Sequence, residues 1–180
     1  MTEPQIVKAH DLSFELMFSE EKVLARVEEL GKELQEKYHD KNPIFLGVLN
    51  GAFIFTADLT RAFGGQCEVS FIKLSSYSGL ESTGEVATVI GLTSDVENSH
   101  VIVVEDIIDT GKTMHDFLPT LRKMNPASVA FATFLLKPEA VKYEFPIDYI
   151  GFEIPNKFVI GYGLDYNEVA RNLRGIYQLK

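Results

Sequence analysis

One stretch of thirteen residues, Val101-Ile-Val-Val-Glu105-Asp106-Ile-Ile-Asp109-Thr110-Gly111-Lys112-Thr113, constrains this chain more than any other. Four consecutive apolar, mostly β-branched residues read as a central strand covered on both faces, the kind found in parallel sheets. The strand ends in two carboxylates. Asp109, Thr110, Gly111 and Thr113 then suit a tight turn into a helix beginning near Lys112. Backbone N–H groups in such a turn, backed by the helix dipole, form an anion cradle fit for a phosphate monoester.

Gly111-Lys112-Thr113 invites comparison with the triphosphate P-loop, which needs a glycine five positions before its Gly-Lys-[Ser/Thr]. That position is Asp106, whose charge would repel a triphosphate. Adjacent acids suit a sugar phosphate better: Glu105 and Asp106 can accept hydrogen bonds from vicinal hydroxyls while the turn holds the phosphate. A lone Glu-Asp pair would be read as a buried strand running into a charged loop. Strand, acids and Gly/Thr turn together point to a ribose 5-phosphate site.

The chain has 180 residues and 46% hydrophobic content, enough for a sizeable core within one domain, 1–180. A net charge of −9 argues against a nucleic-acid binder, which presents clustered Lys and Arg. With Cys67 alone no intramolecular disulfide can form, and a small core role in a reducing compartment is the simpler expectation. No basic segment followed by an apolar run opens the chain, and the apolar run Val129 to Leu136 is too short to span a bilayer. A cytoplasmic protein without membrane contact is expected.

Ser19 is a suitable N-cap for a helix to about Tyr38, with Val23, Leu24, Val27, Leu30 and Leu34 on one face. Ile44 to Leu49 reads as an apolar strand, and Asn50-Gly51-Ala52 turns it into a helix from Phe53 to Phe63. Gly51 either makes that turn or lets backbone approach a ligand. Glu68 to Leu74 alternates as a strand with Val69, Phe71 and Lys73 to one side, and Val86 to Leu92 is a second strand-like run. The helix from Lys112 is predicted to run to Met124, kinked or broken early by Pro119. Ser128 to Leu136 and Tyr149 to Ile154 are further strands, and Gly175 to Leu179 suits an edge strand or a subunit contact. Strands alternating with helices predict an α/β fold, a twisted, mainly parallel sheet flanked by helices, with ligands at the carboxyl ends of the strands. Lys137 stands at one such end. Phe158 can stack on a planar base or serve as core, and Asp165 is an oxygen ligand for magnesium or a turn acid.

Val103-Val-Glu-Asp-Ile-Ile-Asp-Thr-Gly-Lys-Thr-Met114 resembles the phosphoribosyl pyrophosphate (PRPP) motif of type I phosphoribosyltransferases, in the form of their hypoxanthine-guanine branch. Pro155-Asn-Lys157-Phe158-Val159 through Asp165 to Glu168 is a second resemblance, and the likeness to the family as a whole covers roughly residues 10 to 180. The resemblance implies a small hood built from N- and C-terminal segments and including the Phe158 region. It implies that Glu105, Asp106, Asp109, Thr110, Gly111, Lys112 and Thr113 bind the ribose phosphate. Leu49, Asn50, Gly51 and Arg171 would meet pyrophosphate, and Ser76 and Tyr77 would sit on a flexible loop closing over the reacting centre. Lys137, Lys157, Phe158 and the Val159 backbone would hold the purine. Asp165, with Glu105 and Asp106, would serve magnesium (Mg2+), and Asp109 would be the general base. Some relatives carry Lys where this chain has Asn50, so one side-chain cation is missing here. The family is commonly dimeric or tetrameric, so a homodimer or homotetramer is expected.

The implied reaction joins PRPP to a 6-oxopurine, hypoxanthine and guanine, in purine salvage. Three alternatives compete. Xanthine or adenine could be the base, but the Lys137 ammonium cannot be satisfied by an exocyclic amine. A non-catalytic PRPP-binding regulator would usually need a nucleic-acid surface, which the acidic balance disfavours. A magnesium phosphotransfer site of response-regulator type leaves Lys157-Phe158-Val159 unexplained.

Overall fold

The computed structural model describes residues 4–75, 87–90 and 95–180; the loop expected to carry Ser76 and Tyr77 lies outside them. In chain order the elements are β1 (Ile6–Ala9), β2 (Leu12–Phe18), α1 (Glu20–Tyr38), β3 (Ile44–Leu49), α2 (Phe53–Phe63), β4 (Glu68–Ser75) and β5 (Ala87–Ile90). Then follow β6 (His100–Ile108), α3 (Lys112–Arg122), β7 (Ser128–Leu136), β8 (Tyr149–Glu153), β9 (Val159–Ile160) and β10 (Ile176–Leu179).

Six strands form the main sheet in the order β5-β4-β3-β6-β7-β8. All neighbours are parallel except β5, which runs antiparallel to β4. Residues Val101 to Val104 lie at its centre with no exposed surface, as continuous apolar strands buried on both faces should. The strand does not stop at the acids: β6 continues through Glu105 and Asp106 to Ile108, which pairs with Leu136. The two carboxylates therefore project from the strand itself.

α1 begins where expected, with the Ser19 hydroxyl accepting from Lys22 N–H and Glu20 and Glu21 in the first turn. Its Val23, Val27, Leu30 and Leu34 pack with Phe55, Leu59 and Phe63 of α2 in one core layer. α2 ends at Gly64, whose left-handed φ of 62° closes the cap. Phe55 is fully buried with its ring 5.1 Å from Phe134 of β7. Phe55→Ala is expected to cost about 3–5 kcal/mol, read from the shift of the denaturant unfolding midpoint.

Several expectations need correction. α3 runs through Pro119 to Arg122 and stops short of Met124. A proline forfeits one ladder hydrogen bond, and buried Met114, Phe117, Leu118 and Leu121 hold the helix regardless. β4 alternates as expected: Ser70 and Ile72 are buried, and Val69 on the other side is 47% exposed. β10 is not an edge strand. It lies inside a second, four-stranded antiparallel sheet, β1-β2-β10-β9, which brings the N- and C-terminal segments together as the hood. Cys67 is partly buried against the main core.

No helix among the described residues is long and apolar enough to cross a membrane.

Candidate active site

The carboxyl ends of β3, β6 and β7 carry most of the residues singled out by sequence, while Lys157 and Phe158 lie on the hood and Ser76 and Tyr77 lie outside the described residues. Gly111 takes a left-handed φ of 81° and stands directly before α3, so the turn after β6 delivers Lys112 as the first helical residue. Lys112 N–H donates to the Thr110 hydroxyl at 3.3 Å. Glu105 and residues 107 to 114 line a cavity of about 100 Å³. First-turn amides have no intrahelical acceptor, which leaves this hollow able to receive an anion.

Glu105 and Asp106 look in different directions, as neighbours on a strand must. Burial, with a smaller push from Asp106, holds the Glu105 carboxyl well above the ordinary range, and its buried Oε2 has no hydrogen-bond partner among the described residues. Asp106 accepts from Ile107 N–H at 2.8 Å. Burial raises its pKa to about 6, against the opposing effects of backbone hydrogen bonds and Arg171. Such an acid takes a proton as pH falls through about 6 and then loses its attraction for hydroxyl donors and cations. Affinity for a hydroxyl-bearing sugar phosphate at this wall is accordingly expected to fall several-fold between about pH 7.5 and about pH 5, checked by binding isotherms.

A layer of close backbone contacts joins Asp106 to the loops around it. A Cβ on Gly51 would fall within 1.5 Å of Asp106 Oδ2, and one on Gly163 within 2.0 Å of Gly51 O. Gly163 C=O in turn accepts from Arg171 Nη1 at 2.9 Å, and Arg171 Nη2 reaches Asp165 Oδ1 at 2.8 Å and Glu168 Oε2 at 3.4 Å. Asp165 also accepts from Glu168 N–H at 2.8 Å. Leu49, Asn50, Gly51, Asp106, Asp165 and Arg171 thus form one contiguous wall. Sequence reasoning missed Gly163, because a glycine does not disclose what its Cα touches. It also missed the Tyr162 hydroxyl donating to Asp58 at 2.9 Å, which ties this loop to α2; burial and Asp58 push that phenol up.

Asp109 and Lys137, one residue beyond β6 and β7, form an ion pair at 2.7 Å. Phe158 is 43% exposed, with Phe14 at 6.0 Å and Tyr166 at 5.8 Å behind it, so an aromatic face is available at the hood. Leu179 N–H donates to Phe158 C=O at 2.9 Å, and Val159 stands opposite Gln178. In antiparallel pairing this turns the Val159 amide away from β10, toward the open side of β9. Lys157 is exposed on the connection before it.

For magnesium, Asp106 and Asp165 are near enough for Asp165 to push the Asp106 carboxyl up, whereas Glu105 projects from the other face of β6 and would reach the same ion only through water or phosphate. A bound cation would relieve both the buried Glu105 oxygen, which has no partner among the described residues, and the Asp106 carboxyl, whose pKa burial raises. No cluster of three or more protein ligands occurs among the described residues. Magnesium takes most of its ligands from phosphate and water, so it does not require one.

The family model described as phosphoribosyl transferase domain matches residues 17–167. The chain belongs to that family. It is 42% identical over 167 residues to a hypoxanthine-guanine phosphoribosyltransferase of Aquifex aeolicus, with 92% of this chain and 94% of the relative covered. Against the hypoxanthine-guanine-xanthine phosphoribosyltransferase of Tritrichomonas foetus it is 43% identical, covering 92% of this chain and 91% of that one. Among solved structures, a hypoxanthine phosphoribosyltransferase of Staphylococcus aureus superposes with a TM-score of 0.88 at 38% identity, covering 92% of this chain and 91% of that one. The five parallel strands and flanking helices are those of the type I phosphoribosyltransferase fold.

Proposed function

We propose that this chain transfers the 5-phosphoribosyl group of PRPP to N9 of hypoxanthine and guanine, forming IMP and GMP and releasing pyrophosphate in purine salvage. The observation that carries the reading is the convergence of the phosphate-sized hollow after β6, the acids Glu105 and Asp106, and the Lys137–Asp109 pair at adjacent strand ends. The naming of its relatives supports the same reaction.

In this reading the turn at 109–113 binds the 5-phosphate through its amides and the Thr110 and Thr113 hydroxyls, with Lys112 adding a cation. Glu105 and Asp106 accept from the ribose hydroxyls. Leu49, Asn50 and Gly51 present backbone to the pyrophosphate, and Arg171 faces it once it shares or releases Asp165. The base stacks on Phe158, the Val159 backbone reads its edge, Lys157 borders it and Lys137 donates to its exocyclic oxygen. Ser76 and Tyr77 belong to the loop that keeps water from the reacting carbon.

At that carbon the bond to pyrophosphate oxygen breaks as the bond to N9 forms, through an oxocarbenium-like state. Asp109 accepts the proton that the purine must lose. Glu105, Asp106 and Asp165 would hold magnesium, whose contribution when bound is to neutralise charge on the leaving pyrophosphate. We place the enzyme in the cytoplasm as a homodimer or homotetramer, without nucleic-acid or membrane partners.

The test follows nucleotide formation from hypoxanthine, guanine, xanthine and adenine in parallel, each with PRPP and magnesium. Product from hypoxanthine and guanine and none from adenine is expected. Product from adenine alone would overturn the specificity, and product from none of the four would favour a PRPP-binding regulator.

A further inference from the structure

Lys137 Nζ donates to Asp109 Oδ2 at 2.7 Å, across the ends of two neighbouring strands. The members differ in freedom. The Lys137 side chain is 8% exposed and that of Asp109 49%. The backbone between them is tied down: Lys137 N–H donates to Ile108 C=O at 3.0 Å, and Lys142 and Tyr143 N–H both donate to Thr110 C=O at 3.0 and 3.1 Å. A Cβ on Gly111 would come within 2.6 Å of Tyr143 O, so the turn cannot slide toward the 142–143 segment. Parting the pair therefore falls to rotation of the exposed Asp109 side chain.

A buried ammonium is costly without an acceptor, and the carboxylate supplies one in the free protein. The two groups assigned to the purine thus occupy each other. We propose that the Asp109–Lys137 pair is a specificity latch. A purine with an acceptor at C6 replaces the carboxylate on Lys137 and releases Asp109 to the five-membered ring. A purine with an amino group at C6 offers no acceptor, so the pair stays closed and Asp109 is withheld. Lys137 then acts on the reaction as a positioning residue, through Asp109, besides contacting the base. This rests on the purine-transfer reading above.

Calorimetric binding of IMP and AMP to the wild-type chain, Asp109→Ala, Lys137→Gln and the double variant tests it. Asp109→Ala is expected to tighten IMP about 3- to 10-fold, because no ion pair must be parted, and to leave AMP unchanged. In the Lys137→Gln background the same Asp109→Ala change should move neither nucleotide. Equal tightening of both nucleotides would mean simple relief of repulsion between the carboxylate and the ring, and weakened IMP would mean a lost contact; either overturns the latch. Thermal unfolding of each variant reports folding, and Asp109→Ser supplies a second removal of the carboxylate if alanine does not fold. A wild-type chain that forms no nucleotide yet shows the IMP-specific cycle keeps the latch and overturns the function. Nucleotide formation without that cycle does the reverse.

Discussion

Asp109→Ala is expected to lower turnover about 10²–10⁴-fold while the KM values for PRPP and hypoxanthine stay within a few-fold. Asp109 is placed to take a proton beside a bound base. It leaves the end of β6 beside the phosphate-sized hollow, half exposed, with its one described ion-pair partner a lysine at the end of β7. None of the acids in the adjoining wall has this freedom: Asp165 is bound to Arg171 and the Glu168 amide, and Asp106 is held by the Ile107 amide and the Gly51 backbone. A group that takes a proton in the transition state and little else in the ground state affects kcat and kcat/KM alike. Stopped-time assays at saturating and limiting purine separate the two constants. Unchanged turnover in this variant would remove Asp109 from the chemistry.

Gly51→Ala should act on the other substrate, raising the KM for PRPP about 10- to 100-fold. The added methyl group would lie 1.5 Å from Asp106 Oδ2. Asp106 cannot rotate freely, because its Oδ1 accepts from Ile107 N–H. Retreat of the loop is opposed from the far side, where Gly51 O packs on Gly163 Cα, itself at a φ of 102° that an L side chain rarely adopts. Either Asp106 or the loop at Gly51 must move, and in the proposed function both belong to the PRPP half of the site. Hypoxanthine KM should change little, since Phe158 and Lys137 lie outside this contact layer. A steady-state titration of PRPP at fixed purine gives the value. Wild-type KM for PRPP in Gly51→Ala would show that the close packing is not needed for binding.

The parts of this molecule that were legible in its sequence are those set by local pattern. Val101 to Val104 read as a central strand because unbroken β-branched residues tolerate water on neither face. The limits of α1, α2 and β7 followed from the Ser19 cap, Gly64 and Lys137-Pro138. Nothing local reveals the hood. β10 pairs with β2, which lies more than 150 residues away in sequence, and with the two-residue β9, so nothing near Gly175 to Leu179 marked it as an inner strand rather than an edge or a subunit contact. The site shows the same division. The residue types were legible, since acids, a Gly/Thr turn and a lysine after a strand each carry their chemistry in their side chains. Their mutual contacts were not. The Lys137–Asp109 pair and the Asp106–Gly51–Gly163–Arg171 layer depend on how three strand ends and a C-terminal loop meet.

The most direct measurement of the central claim is the stoichiometry of the wild-type chain acting on PRPP and hypoxanthine with magnesium, quantifying IMP and pyrophosphate in the same sample. Phosphoribosyl transfer predicts the two in equal amounts, with neither formed when hypoxanthine is omitted. Pyrophosphate released without IMP, or PRPP bound and left intact in the presence of hypoxanthine, would contradict it.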